Sequence, residues 1–424
     1  MLRPTQTEIT TDAGERVAAR TPVIVSASRA TDIPACYADW FFERLRRGYV
    51  ARINPFDGRR SYISFARTRA VVFWSKNPRP LLPRLAELRE RGIHCYVQYT
   101  LNDYEDEGLE PHLPPLEERI DTFRRLAEHL GRGLVVWRFD PLLLTDRLGT
   151  EELLRRAERI GDSLRGAAEK LVFSFADIGI YRHVVRNLDR RGIRWREFTD
   201  GEMLQTAAGL AALNERWGYT LAACGERTDF AHLGIVRNRC IDDELLLRHF
   251  PHDRALTDYL GATPPSPALF GETARPERTA AHPPKDRGQR AFCGCIASAD
   301  IGQYATCPHL CAYCYANRSE RSVAENLRLH RLHPFAETIT GRGRRKKPAA
   351  VAAGLHRTPG KGARRLRRAT QRPPKTGAAL PGFRGGKSAV RSDNSAPSAE
   401  RKAPESRSAR PARARARGSG GSCR

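Results

Sequence analysis

From Pro22 onward, short runs of β-branched and aromatic residues alternate with stretches whose apolar residues recur every three to four positions. This alternation of two periods constrains the fold more than any other feature. The runs are Val23–Ser26, Ala70–Trp74, His94–Tyr99, Leu134–Phe139, Leu171–Phe175 and Tyr219–Cys224. They are nearly continuous in apolar side chains, as parallel strands covered on both faces are. Between them, Leu81, Leu85 and Leu88, then Leu116, Ile120, Phe123 and Leu130, then Leu153, Ala157, Ile160 and Leu164, then Leu204, Ala208 and Ala211 mark amphipathic helices. Strand alternating with helix predicts an α/β fold, a TIM-like (β/α) barrel. A helical Trp40–Arg47 and the runs Tyr49–Ile53 and Tyr62–Phe65, flanking a Pro-Phe-Asp-Gly turn, predict an inserted hairpin.

The chain of 424 residues is long enough for such a barrel with additions. Residues 1–20 read as a flexible leader, 21–257 as the barrel-like domain and 258–289 as a Pro/Ala/Thr-rich linker. Residues 290–335 form a cysteine-bearing segment, and 336–424 a basic tail too poor in large apolar residues to order itself. That tail holds 24 Lys and Arg against 4 Asp and Glu, so most of the formal net charge of +25 resides there and the rest of the chain is nearly balanced. No apolar run has the length of a membrane span, and Met1–Arg20 lacks the apolar core of a secretory signal, so a cytoplasmic protein with no membrane partner is expected.

The strand ends carry polar residues of a catalytic type: Ser28, Arg29 and Asp32, then Lys76 and Asn77, then Gln98, then Arg138 and Asp140, then Asp177, then Glu226. In a barrel these ends line one mouth, where chemistry is placed; salt bridges and helix caps are the plainer use of the same residues. Five of the ten cysteines crowd into Cys293–Cys314. In a reducing compartment such crowding reads as metal ligation.

Cys307-Pro-His-Leu-Cys311-Ala-Tyr-Cys314 is a CxxxCxxC triplet with an aromatic residue before its third cysteine. Three thiolates fill three corners of a [4Fe–4S] cluster and leave one iron open to chelate an exogenous ligand. A structural zinc or cluster completed by His309 or an outlying cysteine is the alternative. Cys293 and Cys295, with Cys224 and Cys240, offer a second four-cysteine set, while Cys36 and Cys95 read as ordinary small apolar residues.

The triplet with Tyr313 resembles the signature of the radical S-adenosylmethionine superfamily. The wider chain resembles the family of unknown function numbered 1848 (DUF1848). The stretches that carry this are Ile24–Pro34, Phe73–Pro78, Trp137–Pro141, Cys240–Asp243, Cys293–Cys295, Asp300–Gly302 and Cys307–Ala316.

The resemblance implies a [4Fe–4S] cluster, bound S-adenosylmethionine and an electron donor such as flavodoxin or ferredoxin. Tyr313 and Glu226, the latter in Cys224-Gly-Glu226, are then the cofactor-binding candidates, and Arg29, Asp32, Arg138 and Asp140 the catalytic ones. Superfamily members usually carry the triplet after the first barrel strand. Here it follows the barrel text, which implies a circular permutation in which Ile296–Ile301 supplies or adjoins the first strand.

Two other functions fit the residues. One is a barrel with a structural metal whose basic tail binds nucleic acid. The other is an acid–base hydrolase using Asp32, Asp140, Asp177 and Glu226.

Overall fold

The computed structural model describes residues 5–54, 57–265, 276–279, 285–286, 288–290 and 292–341. The chain opens with two antiparallel strands, β1 (Gln6–Thr10) and β2 (Arg16–Arg20). The first apolar run follows as β3 (Ile24–Ala27), then α1 (Ile33–Cys36) and α2 (Ala38–Arg46). A second antiparallel pair, β4 (Tyr49–Ile53) and β5 (Arg60–Ser64), precedes β6 (Ala70–Ser75). Helix α3 (Leu85–Glu90) leads to β7 (His94–Thr100), and α4 (Leu116–Leu130) to β8 (Val135–Leu142). Past the two-residue β9 (Leu144–Thr145), α5 (Thr150–Ser163) leads to β10 (Lys170–Phe175). After α6 (Arg182–Arg190) and β11 (Trp195–Arg196), α7 (Asp200–Trp217) leads to β12 (Thr220–Ala223) and β13 (Val236–Arg237). Then come α8 (Asp243–His249), α9 (Arg254–Tyr259), the paired β14 (Ala262–Thr263) and β15 (Glu277–Arg278), β16 (Ala299–Asp300) and α10 (Glu320–Leu332).

Eight strands make one parallel sheet in the order β13-β12-β10-β8-β7-β6-β3-β16. The six apolar runs are its six interior strands. Their side chains alternate between two faces. On one face Val25, Val71, Val97, Trp137, Leu171 and Leu221 join Phe41, Leu88, Phe123, Ile160 and Leu210 of the helices in a single apolar cluster. On the other, Ile24, Val72, Tyr96, Val136, Val172 and Ala222 are covered by Cys240, Ile241, Leu246, Leu256, Cys293, Cys295 and Ile296. This second cover is not made of crossover helices. It comes from the stretch after β13 and from the cysteine segment.

The fold is thus a mixed α/β chain built on a large parallel sheet. Between the edge strands β13 and β16 there is no ladder among the described residues. Next to them, Ile296 N donates to Ile241 O at 3.2 Å. Strand β16 pairs in parallel with β3, Ala299 opposite Val25 and Asp300 opposite Ser26, which sets the segment before the cysteine loop beside the first apolar run. No helix among the described residues is long and apolar enough to cross a membrane.

The ends of the described chain differ from the expectation. Residues 6–20 are not a flexible leader: β1 and β2 form a hairpin, closed over Thr11–Glu15, and β2 joins β5 in a four-stranded sheet with β1 and β4. The alternation in Gln-Thr-Glu-Ile-Thr and a turn with Gly14 at φ 80° supply the local reason. Part of the presumed linker is also ordered, since β14 and β15 pair with each other.

Residues 336–341, read as the start of a disordered tail, are packed. Ile339 is buried, and Glu337 accepts from Tyr49 Oη at 2.6 Å, Arg60 Nη1 at 2.7 Å and Asp12 N at 3.0 Å. The remaining tail, 342–424, lies outside the described residues. A chain ending after Phe335 loses this carboxylate and the buried isoleucine. Burial of such a side chain stabilises by about 1.5–3 kcal/mol. Its melting temperature is therefore expected to fall by about 5 °C relative to a chain ending after Gly341, measured by differential scanning calorimetry.

Candidate metal and active site

The cysteine loop is fixed to the first strand by one carboxylate. Asp300 accepts from Ser26 Oγ at 3.0 Å, Ser28 Oγ at 2.7 Å, Arg29 N at 2.9 Å and Gly302 N at 2.9 Å. The chain passes so close at Gly302 that a Cβ there would stand 1.9 Å from Ser28 Oγ, so only glycine fits. Beyond it, the loop is held by side chains from elements far apart in sequence. Tyr37 Oη donates to Thr306 O, Asn326 Nδ2 to Ala305 O at 2.8 Å, Asn317 Nδ2 to Cys307 O at 2.8 Å and Arg191 Nη2 to Leu310 O at 3.0 Å. Ala305 and Leu310 lie in the left-handed region, φ 57° and 51°, a conformation that surrounding contacts must impose on residues other than glycine.

The three thiols of this loop lie in a buried, charged surrounding. Burial pushes the Cys307 thiol well up, and the neighbouring Cys36, Asp32, Cys311 and Cys314 push it further. Cys311 is raised by burial against the pull of Lys76. Cys314 is raised by burial too, while the backbone N–H groups of Ala316 and Asn317 and the charge of Lys76 favour its thiolate. Such a set suits a metal–sulfur centre, because a metal displaces the thiol proton and N–H groups aimed at sulfur stabilise what remains. As the side chains stand, no group of three or more His, Cys, Asp or Glu among the described residues is arranged to hold a metal ion.

His309 does not join the thiols. Its Nε2 lies 3.0 Å from Asp32 Oδ2. Asp32 also takes Lys76 N at 2.7 Å, Ser75 Oγ at 2.7 Å and Ala35 N at 2.9 Å, the last as N-cap of α1. Burial opposes its ionisation, yet His309 and these donors hold its carboxyl below the usual range. With both oxygens engaged, Asp32 is a strut between β6, α1 and the cysteine loop rather than a free catalytic group.

Tyr313 is a strut likewise. Its hydroxyl meets Glu110 and lies 3.0 Å from Lys76 Nζ and 3.3 Å from Asn102 Nδ2. Glu110 is fully buried. Burial alone would raise its carboxyl, but Lys76, at 2.6 Å, and Arg119 hold it below the usual range. Nothing in the sequence marked Glu110, which stands in a loop between Leu109 and Pro111 and acquires its place through Lys76, Asn102 and Tyr313.

The other expected residues gather on the sheet face covered by Cys240, Cys293 and Cys295. Arg138 donates to Asp140, to Gln98 Oε1 at 3.2 Å and to Cys240 Sγ at 3.2 Å. Asp140 in turn meets Ser174 Oγ. The Arg29 and Arg138 guanidinium groups lie 4.9 and 5.4 Å from the Trp74 ring centroid, and Arg29 Nη2 is buried with no hydrogen-bond partner among the described residues. Glu226 accepts from Phe175 N at 3.0 Å, and burial, with Asp177, Asp140 and Cys224 nearby, raises its carboxyl to about 7.

Cys224, Cys240, Cys293 and Cys295 converge here from three segments, with Cys224 Sγ and Cys240 Sγ 3.3 Å apart. The candidates therefore divide into two neighbourhoods. Cys307, Cys311, Cys314, Tyr313 and Asp32 form one. Arg29, Arg138, Asp140, Glu226 and the four other cysteines form the second. Cys36, read from sequence as an ordinary core residue, belongs with the first through its proximity to Cys307.

Because Gly302 abuts Ser28, Gly302→Ala is expected to cost about 1–3 kcal/mol, as overpacking does. In a double-mutant cycle with Ser28→Gly the same substitution should cost clearly less, read from urea unfolding.

No curated protein matches the chain. A family model does match it, over residues 24–316, a span that runs from β3 through the CxxxCxxC loop and takes in both thiol neighbourhoods. The chain belongs to the family described as domain of unknown function (DUF1848).

Proposed function

We propose that the chain is an iron–sulfur enzyme that holds a [4Fe–4S] cluster on Cys307, Cys311 and Cys314 and uses it with S-adenosylmethionine for radical chemistry. One observation carries this reading: three thiols, Cys311 buried and Cys307 and Cys314 half-buried, share one tightly pinned loop beside β3, and the one imidazole in that loop is turned to Asp32. Three protein sulfurs and an unfilled corner are what such a cluster needs to take an exogenous ligand. When bound, the cluster supplies the electron that cleaves the sulfonium C–S bond into methionine and a 5′-deoxyadenosyl radical.

The residues around the loop have separable tasks in this account. Lys76, Glu110, Tyr313 and Asp32 hold the loop against the sheet. Arg29, whose buried Nη2 has no partner among the described residues, is suited to a carboxylate such as that of the cofactor. Glu226, raised to about 7, can hold or release a proton near neutrality. A permuted (β/α) barrel is the scaffold this reading implies, its usual first strand supplied by β16 and its electron by a flavodoxin- or ferredoxin-like donor in the cytoplasm.

A second reading draws on the net charge of +20 over residues 336–424: a barrel with a structural metal that binds nucleic acid through this tail. Salt-dependent polynucleotide binding that vanishes on truncation after Gly341, without any turnover of S-adenosylmethionine, would favour it.

The radical reading is tested with anaerobically reconstituted protein, dithionite and S-adenosylmethionine. It predicts 5′-deoxyadenosine by mass spectrometry, lowered at least about 100-fold in Cys311→Ala. It also predicts activity within about threefold of the parent in Cys36→Ala, since that thiol is not a ligand. No deoxyadenosine from protein carrying about four irons per chain sinks the proposal. Loss of the cluster in Cys36→Ala would show a capped fourth corner and sink it equally.

A further inference from the structure

We propose a separate metal site on this second face of the sheet, where Cys224, Cys240, Cys293 and Cys295 bind a single thiophilic divalent ion of the zinc type. It does not depend on the radical reading. The four thiols come from the end of β12, the stretch after β13 and the segment before β16. Cys224 meets Cys240 at 3.3 Å, Cys295 Sγ takes the Cys240 N–H at 3.2 Å, and Cys293 stands two residues before Cys295 in the same apolar cluster.

The surroundings of these sulfurs suit thiolates. Cys240 Sγ receives Arg138 Nη1 at 3.2 Å and Asn238 Nδ2 at 3.1 Å. Cys295 Sγ receives Cys240 N at 3.2 Å and Ile241 N at 3.4 Å. The Arg29 charge is reinforced by the same two sulfurs, although burial works against it. N–H groups and guanidinium groups directed at sulfur favour its ionised form, but thiolates in mutual contact repel one another. A cation among them removes that repulsion.

Spacing decides between a lone ion and a second cluster. With zinc–sulfur bonds of about 2.3 Å, the sulfurs of a tetrahedral site stand about 3.8 Å apart. A cubane separates its protein ligands further, because each sulfur binds a different iron. The 3.3 Å contact of Cys224 and Cys240 matches the lone ion. No such sulfur–sulfur contact occurs among Cys307, Cys311 and Cys314 in the described residues. As they stand, no three of these thiols are arranged to hold an ion, so binding would draw the four sulfurs together.

The wall around the site is apolar, with Cys240, Cys293 and Cys295 packed among Ile24, Val72, Tyr96, Ile241 and Ile296. The Cys240 carbonyl is fixed by Tyr96 Oη at 2.7 Å and Gln98 Nε2 at 2.9 Å, an outer layer of the sort that orients metal ligands. An ion here would tie the stretch that leaves β13 to the one that enters β16. It would thereby cross-link the two edges of the large sheet and fix Arg138 at the mouth.

The test uses the full chain carrying Cys307→Ala, Cys311→Ala and Cys314→Ala, which leaves the four thiols intact. Elemental analysis should find about one zinc per chain, and Co2+ added to the metal-free protein should give the visible bands of tetrahedral thiolate cobalt. Adding Cys240→Ser should weaken Co2+ binding at least about tenfold, while Cys95→Ser, at a buried cysteine outside the set, should not. Absence of both zinc and cobalt bands in the triple variant overturns the proposal, and that result does not require the Cys240 variant to fold. So does iron that persists in the triple variant and disappears with Cys240→Ser, which would mark a second cluster. A Cys224–Cys240 disulfide found by mass spectrometry in metal-free protein purified anaerobically would overturn it as well.

Discussion

The pairing of β16 with β3 is the contact on which the remaining geometry rests. It joins residues separated by more than half the chain, and a single carboxylate secures it. Asp300 gathers two hydroxyls and two backbone N–H groups from Ser26, Ser28, Arg29 and Gly302. Charge-assisted bonds of this kind are stronger than neutral ones, and four on one carboxylate leave the loop little freedom. The cysteine loop that follows is thereby set beside the first strand rather than at a distant end. Asp32 makes the second tie, through His309, so the loop is clamped on both sides of Cys307.

The same sheet supports two thiol neighbourhoods with different characters. Around Cys307, Cys311 and Cys314 the thiols influence one another through space, and the surrounding charge is a lysine–glutamate pair buried with Arg119. In the second set the Cys224 and Cys240 sulfurs touch, and Cys240 and Cys295 receive N–H groups directly. Arg29 lies near the second set through its side chain and is tied to the cysteine loop through its backbone, where its carbonyl accepts from Tyr315 Oη at 2.8 Å. It is therefore the residue best placed to sense both.

Much of this was legible in the sequence. The six apolar runs became the six interior strands because continuous β-branched stretches leave a parallel sheet no alternative to burial on both faces. The pairing of β16 with β3 was not readable locally, since no local pattern distinguishes an edge strand of two residues. The second cover was not readable. Nothing local in residues 240–262 marks them as a cover, and their burial depends on the sheet face against which they pack. Asp32 looked catalytic for the same reason that it caps α1: an acidic residue at a strand end serves either purpose, and only the four donors around it decide. Glu337 was hidden by averaging, one acidic residue in a strongly basic stretch, although it fastens that stretch to the hairpin sheet.

The central claim is that one iron of the cluster on Cys307, Cys311 and Cys314 is open to an added ligand. Electron paramagnetic resonance of the dithionite-reduced protein, recorded with and without S-adenosylmethionine, addresses it most directly. The account predicts a reduced-cluster signal whose g values shift when the cofactor is added. Identical spectra from an intact cluster under saturating cofactor would contradict it.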